Sequence, residues 1–192
     1  MMRRSGSDVK ERINSAALAL FNARGIKGTT TREIAKRAGV AEVTIYRHFR
    51  SKKEIASGLL FTYLERFRER LVNAIDGNAS STSKLCALLD AFFEFAKREP
   101  KAYNYINLAH YNELKDVMKH SRKPADIFME VISEGVERGE LASLDVPLAT
   151  ALVTGMLTRA IAFYESGIVE LSYDDMKAKV RDSVLRLLMD KG

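Results

Sequence analysis

Apolar residues recur along the chain at the three- and four-residue intervals of α-helices, and no stretch alternates apolar and polar residues long enough to propose a sheet. The first run puts Val9, Ile13, Ala16, Ala17, Leu20 and Phe21 on one face. Asp8 is placed to cap that helix and Gly25 to end it, with Ile26 as the apolar residue expected just past a glycine stop. Thr30 and Glu33 have the spacing of a capping box and open a second helix that Gly39 closes. A third, short helix is predicted over about Glu42 to Phe49. Ser51 and Glu54 repeat the capping-box spacing and start a long helix to about Ile75. A polar Gly77 to Ser81 loop precedes further helices at about 82–98, 100–111, 123–138, 146–165 and 173–190, while 112–122 reads as either helix or broken turn. Gly139 and Gly167 stand where helix stops are expected, and none of the three prolines interrupts a long helix. The pattern predicts an all-α chain with no internal repeat and no low-complexity linker.

Within the first three helices, Thr30 to Phe49 has the organisation of a helix-turn-helix. Ile34, Ala35 and Ala38 point to a core, and small Ala35 lets the next helix cross closely. Gly39 supplies the sharp turn and Val40 fills the angle. Ile45 and Phe49 point inward, which leaves Glu42, Val43, Thr44, Tyr46, Arg47 and His48 on the outer faces. A helix presented this way can enter a DNA major groove with its amino-terminal residues at the base edges.

Charge sharpens that picture. The 192 residues carry a formal net charge of +6, but residues 1–53 hold 13 Lys and Arg against 4 Asp and Glu, whereas 54–192 hold 18 against 21. A basic head on a mildly acidic body points to a polyanionic partner for the head. With 46% hydrophobic residues the chain can bury a core, and disorder is not expected. Its single cysteine, Cys86, excludes an intrachain disulfide and a cysteine-cluster metal site. The polar start Met1 to Asp8 predicts no secretory leader, and the uncharged stretch Val146 to Thr158 is short for a bilayer span, so a cytoplasmic protein without a membrane partner is expected.

The stretches Phe21-Asn22-Ala23-Arg24-Gly25 and Thr30 to Glu54, above all Thr44-Ile45-Tyr46-Arg47-His48-Phe49-Arg50-Ser51-Lys52-Lys53-Glu54, resemble the tetracycline-repressor (TetR) family of bacterial regulators. The resemblance covers about residues 8–60 by motif and rests on helical layout and length beyond them; Gly135 to Leu141 is a weak further likeness. It implies a three-helix DNA-binding domain at 1–53 and an antiparallel helical effector-binding and dimerisation domain at 54–192. It also implies roles. Thr31, Tyr46, His48 and Lys52 match phosphate-holding positions, and their hydroxyls, imidazole and ammonium suit an anionic backbone. Arg32, Glu42, Thr44 and Arg47 match positions facing bases or the groove wall; Arg32 has the fork for guanine, and Glu42 either accepts from cytosine or repels phosphate. Two departures stand out: Ala41 replaces the serine usual at the recognition-helix cap, and Glu42 is acidic in a groove-facing place.

In the body, the helix from Val146 to Tyr164 is apolar nearly all round and needs covering on every side. With the last helix it forms the expected homodimer interface, here assigned to Leu152, Met156, Arg159, Ala160, Val180, Val184 and Leu187, the odd charge of Arg159 pairing with an acid across the dimer or with an anionic ligand. Two-fold symmetry then requires a palindromic double-stranded operator. Ten of the sixteen Phe and Tyr residues lie between Phe61 and Phe128, and Tyr103 to Tyr111 mixes rings with amides and an imidazole. An effector pocket for a small, largely apolar molecule is assigned to Phe92, Tyr103, Asn107, His110, Phe128, Met156 and Phe163. No phosphate-binding glycine loop, carboxylate cluster or Cys–His pair suggests an enzyme, and no cofactor or metal is expected, since His110 and His120 lack a ligand spacing. The reading is a repressor released from its operator by an effector; a rival with the same head is an effector-independent or architectural DNA-binding protein.

Overall fold

A computed structural model describes residues 6–77, 79–111 and 122–189. Every regular element among them is an α-helix: α1 (Gly6–Arg24), α2 (Thr31–Ala38), α3 (Glu42–His48), α4 (Lys52–Ile75), α5 (Ser81–Arg98), α6 (Pro100–Tyr111), α7 (Pro124–Glu137), α8 (Val146–Glu165) and α9 (Tyr173–Met189). The all-α expectation holds, with ends close to those predicted. Asp8 is a correction: α1 already runs from Gly6, so Asp8 sits inside its first turn, where its charge complements the positive end of the helix dipole, rather than at the cap.

The chain packs as two compact units that divide α4 between Glu65 and Arg66. The first contains α1, α2, α3, the first part of α4, and α6. Its core is built from Ile13, Ala17 and Phe21 of α1, Ile34 and Ala35 of α2, Ile45 of α3 and Ile55 and Leu60 of α4. The sequence groups α6 with residues 54–192, yet its packing is against α1. Tyr105 is fully buried, its ring stacks on Phe21 at 6.0 Å, and its hydroxyl donates to the Ala56 carbonyl at 2.9 Å. The Asn22 amide donates to the Lys101 carbonyl at 2.8 Å.

The second unit contains the rest of α4 with α5, α7, α8 and α9. Phe67 stacks on Phe95 at 4.3 Å and meets Phe92 edge-on at 5.1 Å, and Phe92 meets Phe128 at 6.1 Å. The Gly135 to Leu141 segment is a clasp. Gly139 takes the left-handed conformation that ends α7, and the Glu140 carboxylate accepts from the Ser81 backbone N–H at 2.7 Å, at the start of α5. A Cβ on Gly135 would lie 2.6 Å from the buried Leu141 side chain, which would have to shift to admit it. Lys84 donates to both oxygens of Glu134, at 2.7 and 2.9 Å, and this holds the Glu134 carboxyl below the usual carboxylate range.

Helix α8 is the one described helix long and apolar enough to cross a membrane. It nevertheless packs against α5, α7 and α9 through Ala149, Thr150, Val153, Leu157 and Ile161. Thr150, Thr154 and Thr158 on its flank each donate to the carbonyl four residues back, at 2.8–2.9 Å. Its opposite face, with Leu148, Leu152, Gly155, Arg159 and Phe163, stays exposed.

Candidate nucleic-acid interface

Local chemistry sets the α2–α3 corner. Thr30 has extended backbone angles and caps α2: its hydroxyl accepts from the Glu33 N–H, and the Glu33 carboxylate accepts from the Thr30 N–H at 2.9 Å. The Thr30 N–H and then the Thr30 hydroxyl, each donating to the Glu33 carboxylate at 2.9 Å, followed by Arg24, whose guanidinium lies 2.8 Å away, hold the Glu33 carboxyl below its usual range. At the other end Gly39 adopts φ 65°, and the Gly39 and Val40 N–H groups return to the Lys36 and Ala35 carbonyls. Arg12 of α1 then donates to the carbonyls of Ala38 and Gly39, locking the turn to the first helix. No sequence motif signals this role of Arg12, because the contact joins residues 26 and 27 positions apart.

Helix α3 is preceded at its cap position by Ala41, which offers no side-chain hydrogen bond, as its methyl dictates. Ile45 and Phe49 are buried, with the Lys10 ammonium 5.6 Å from the Phe49 ring centre. The outer face carries Glu42, Val43, Thr44, Tyr46, Arg47 and His48, with Val43 60% and Tyr46 55% exposed. Val43 was not singled out as a groove residue by sequence; an exposed apolar side chain at the start of such a helix has the chemistry to meet a thymine methyl.

Among the eight DNA-facing candidates, three converge. Thr31, at the start of α2, donates its hydroxyl to Glu42 at 2.7 Å and lies 3.2 Å from the Tyr46 hydroxyl. Lys52 begins α4 and donates to the Thr29 carbonyl at 2.5 Å, placing an ammonium beside the start of α2 with two protons left over. Arg32 and Arg47 are exposed, and Thr44 and His48 are half-buried.

The body candidates separate. Phe92 and Phe128 sit in the ring cluster of the second unit, whereas Tyr103 is buried in the core of the first and Asn107 is half-buried there. The His110 side chain lies outside the described residues. Phe163 is 40% exposed on the outward face of α8, with the Arg159 guanidinium 5.6 Å from its ring centre. Val184 is fully buried within its own unit. Leu152 and Arg159 are exposed, and Met156, Ala160, Val180 and Leu187 are half-buried.

Comparisons with known proteins agree with this geometry. The family profile of the bacterial regulatory proteins of the tetR family matches residues 13–59. The HTH-type transcriptional repressor KstR2 of Mycobacterium tuberculosis is 28% identical over 160 residues, 79% of this chain and 78% of that protein. The fatty acid metabolism regulator protein of Bacillus subtilis is 25% identical over 185 residues, 92% of each chain. In structure, the transcriptional regulator FadR of Bacillus subtilis in complex with stearoyl-CoA superposes with a TM-score of 0.76 at 22% identity, over 91% of this chain and 96% of that one. A capped, glycine-turned corner that exposes the outer face of α3, the profile match over that corner and relatives aligned along most of their length agree: residues 13–59 match the tetR family of bacterial regulatory proteins, and the chain as a whole is similar to transcriptional regulators.

Proposed function

We propose that the chain is a cytoplasmic, homodimeric repressor that leaves a palindromic operator when a small, largely apolar effector binds. The observation that carries the reading is the division of α3: Ile45 and Phe49 are buried, while Val43, Tyr46 and Arg47 stand exposed, the Tyr46 hydroxyl 3.2 Å from that of Thr31. Lys52, Thr31, Tyr46 and His48 hold phosphates, and Arg32, Thr44 and Arg47 face bases or the groove wall. Residues 1–53 make these contacts, and 54–192 bind the effector and the second copy. The outward face of α8, with Leu148, Leu152 and Gly155, supplies the dimer contact together with Val180 and Leu187 of α9. The ring cluster of Phe92 and Phe128 gives the apolar lining for the effector. Relatives named for ketosteroid and fatty acid regulation support an effector with a large apolar body. No enzymatic role is proposed.

The test has two stages. Selection from a random duplex library is expected to return a palindrome, with half-sites about 34–36 Å apart or a multiple of that. Anisotropy on that duplex then follows release by stearoyl-CoA and by a ketosteroid, with coenzyme A as control. A hundredfold release needs about 2.7 kcal/mol of coupling. No enriched sequence overturns the operator; enrichment with no release by any apolar compound leaves the effector-independent rival.

A further inference from the structure

The Thr31–Glu42–Tyr46 cluster has a hydrogen-bond inventory that works against phosphate binding. A carboxylate only accepts, so the single Thr31 hydroxyl proton, at 2.7 Å from Glu42, is donated to it. With that proton engaged, the 3.2 Å contact between Thr31 and Tyr46 is made by the Tyr46 hydroxyl donating to Thr31. Both protons that a DNA phosphate would take at this point are therefore held inside the protein. The carboxylate stands one hydrogen bond from the Thr31 hydroxyl and two from that of Tyr46, at the start of α2, where Lys52 also arrives. A phosphate approaching this pair must displace a carboxylate from a hydroxyl and tolerate its charge.

We propose that Glu42 is a specificity-determining residue that competes with DNA phosphate for the Thr31 and Tyr46 hydroxyls, releasing them where a base amino group in the major groove binds its carboxylate. Cytosine N4 and adenine N6 are the amino groups available there, and both are donors. On duplex without such a donor in register, the carboxylate keeps the hydroxyls and repels the backbone, so binding is weakened. On the operator, the amino group offsets the charge, Thr31 and Tyr46 turn to the phosphate, and a base contact is converted into a backbone contact. Non-specific affinity comes almost wholly from phosphates, so a charge placed against them at this point raises the specificity ratio. The inference rests on the DNA-binding reading of the head.

Glu42→Gln keeps the size and an oxygen acceptor for Thr31 but removes the charge; Thr31→Val keeps the shape but removes the hydroxyl. Both sites are half-buried at the rim of the corner, and equal thermal melts of the variants confirm folding. Anisotropy titrations compare the wild type, each variant and the double variant on the selected operator and on a random-sequence duplex of equal length. E42Q is expected to bind the random duplex about 3- to 10-fold more tightly, with a smaller gain on the operator. T31V is expected to cost little on the random duplex in the wild-type background and several-fold in the E42Q background. Selection with E42Q is expected to lose one C or A preference per half-site, and which base is lost identifies the amino group. Unchanged or weaker binding of random duplex by E42Q, or an equal cost of T31V in both backgrounds, overturns the inference while wild-type binding stands. A wild-type chain that binds no duplex overturns the DNA-binding reading, and the inference with it.

Discussion

Replacing Gly39 by Ala tests how the recognition helix is aimed. The cost has two parts that the structure separates. An alanine at φ 65° bears the steric penalty of the left-handed region, about 1–2 kcal/mol. Its Cβ would also sit 2.8 Å from the Arg12 guanidinium, which must then move off the Ala38 and Gly39 carbonyls. Losing those charge-assisted bonds in a half-exposed setting adds about 1 kcal/mol. The sum, about 2–3 kcal/mol, lowers the urea midpoint of the first unit by about 1–1.5 M for a slope near 2 kcal/mol/M. Gly25 provides the control: its φ is 72° but nothing lies within 4 Å of an added Cβ, so G25A is expected to show the backbone part alone. In an Arg12→Ala background, G39A should fall to the cost of G25A. Urea unfolding followed by circular dichroism, paired with operator titration, reads both stability and aim. Equal costs for G39A and G25A in the wild-type background, or no change on removing Arg12, would refute the idea that Arg12 locks the turn.

Other expectations follow from single contacts. Lys52→Ala should weaken binding to every duplex and lower the salt slope by about one, measured by anisotropy across a salt series; an unchanged slope removes Lys52 from the phosphate contacts. Gly155→Leu adds helix propensity at a position with open space around it, so it should leave the single chain folded while blocking close approach of a second copy. Sedimentation showing that G155L still dimerises would place the interface elsewhere. Glu33 has its carboxyl lowered by Thr30 and Arg24, so its stabilisation is complete above the ordinary carboxylate range and is lost as the pH falls through the lowered value. Glu33→Gln should therefore melt earlier at pH 7, with the gap closing in acid; a gap independent of pH refutes it. Gly135→Ala forces a Cβ to 2.6 Å from Leu141 and should cost about 1–3 kcal/mol in thermal unfolding, whereas an unchanged melt would mean the clasp can relax.

The head was legible in the sequence because its devices are local. The Thr30–Glu33 box, the Gly39 turn and the inward pair Ile45 and Phe49 each fall within a few residues, and each has a chemistry of its own. Ser51 shows the limit of that approach. Its hydroxyl does accept from the Glu54 N–H at 3.1 Å, but the Glu54 carboxylate returns to the N–H of Arg50 instead of Ser51. Contacts between distant residues left no trace. Arg12 on the turn, Lys52 on Thr29 and Tyr105 on Ala56 join positions 23 to 49 residues apart. Val184 illustrates why an apolar stripe does not identify its partner: the same spacing serves an internal face and an external one, and here the chain itself fills the site. The mixture of rings and amides in α6 groups Tyr103 with Phe92, but α6 packs against α1, and only that long-range docking decides its surroundings.

The threonine ladder along α8 alters what that helix offers to its surroundings. Because each hydroxyl satisfies a carbonyl of the same helix, Thr150, Thr154 and Thr158 have no proton left to bargain with, and they present methyl groups in the manner of valine. Thr150 already faces the core of its own unit, but a greasy surface can be laid over Thr154 and Thr158 without stripping water from an unsatisfied donor, so the helix is more oily in practice than its residue names suggest. Triple replacement by valine should accordingly leave assembly intact, whereas aspartate at any rung would bring a hydration shell that close packing has no room to keep.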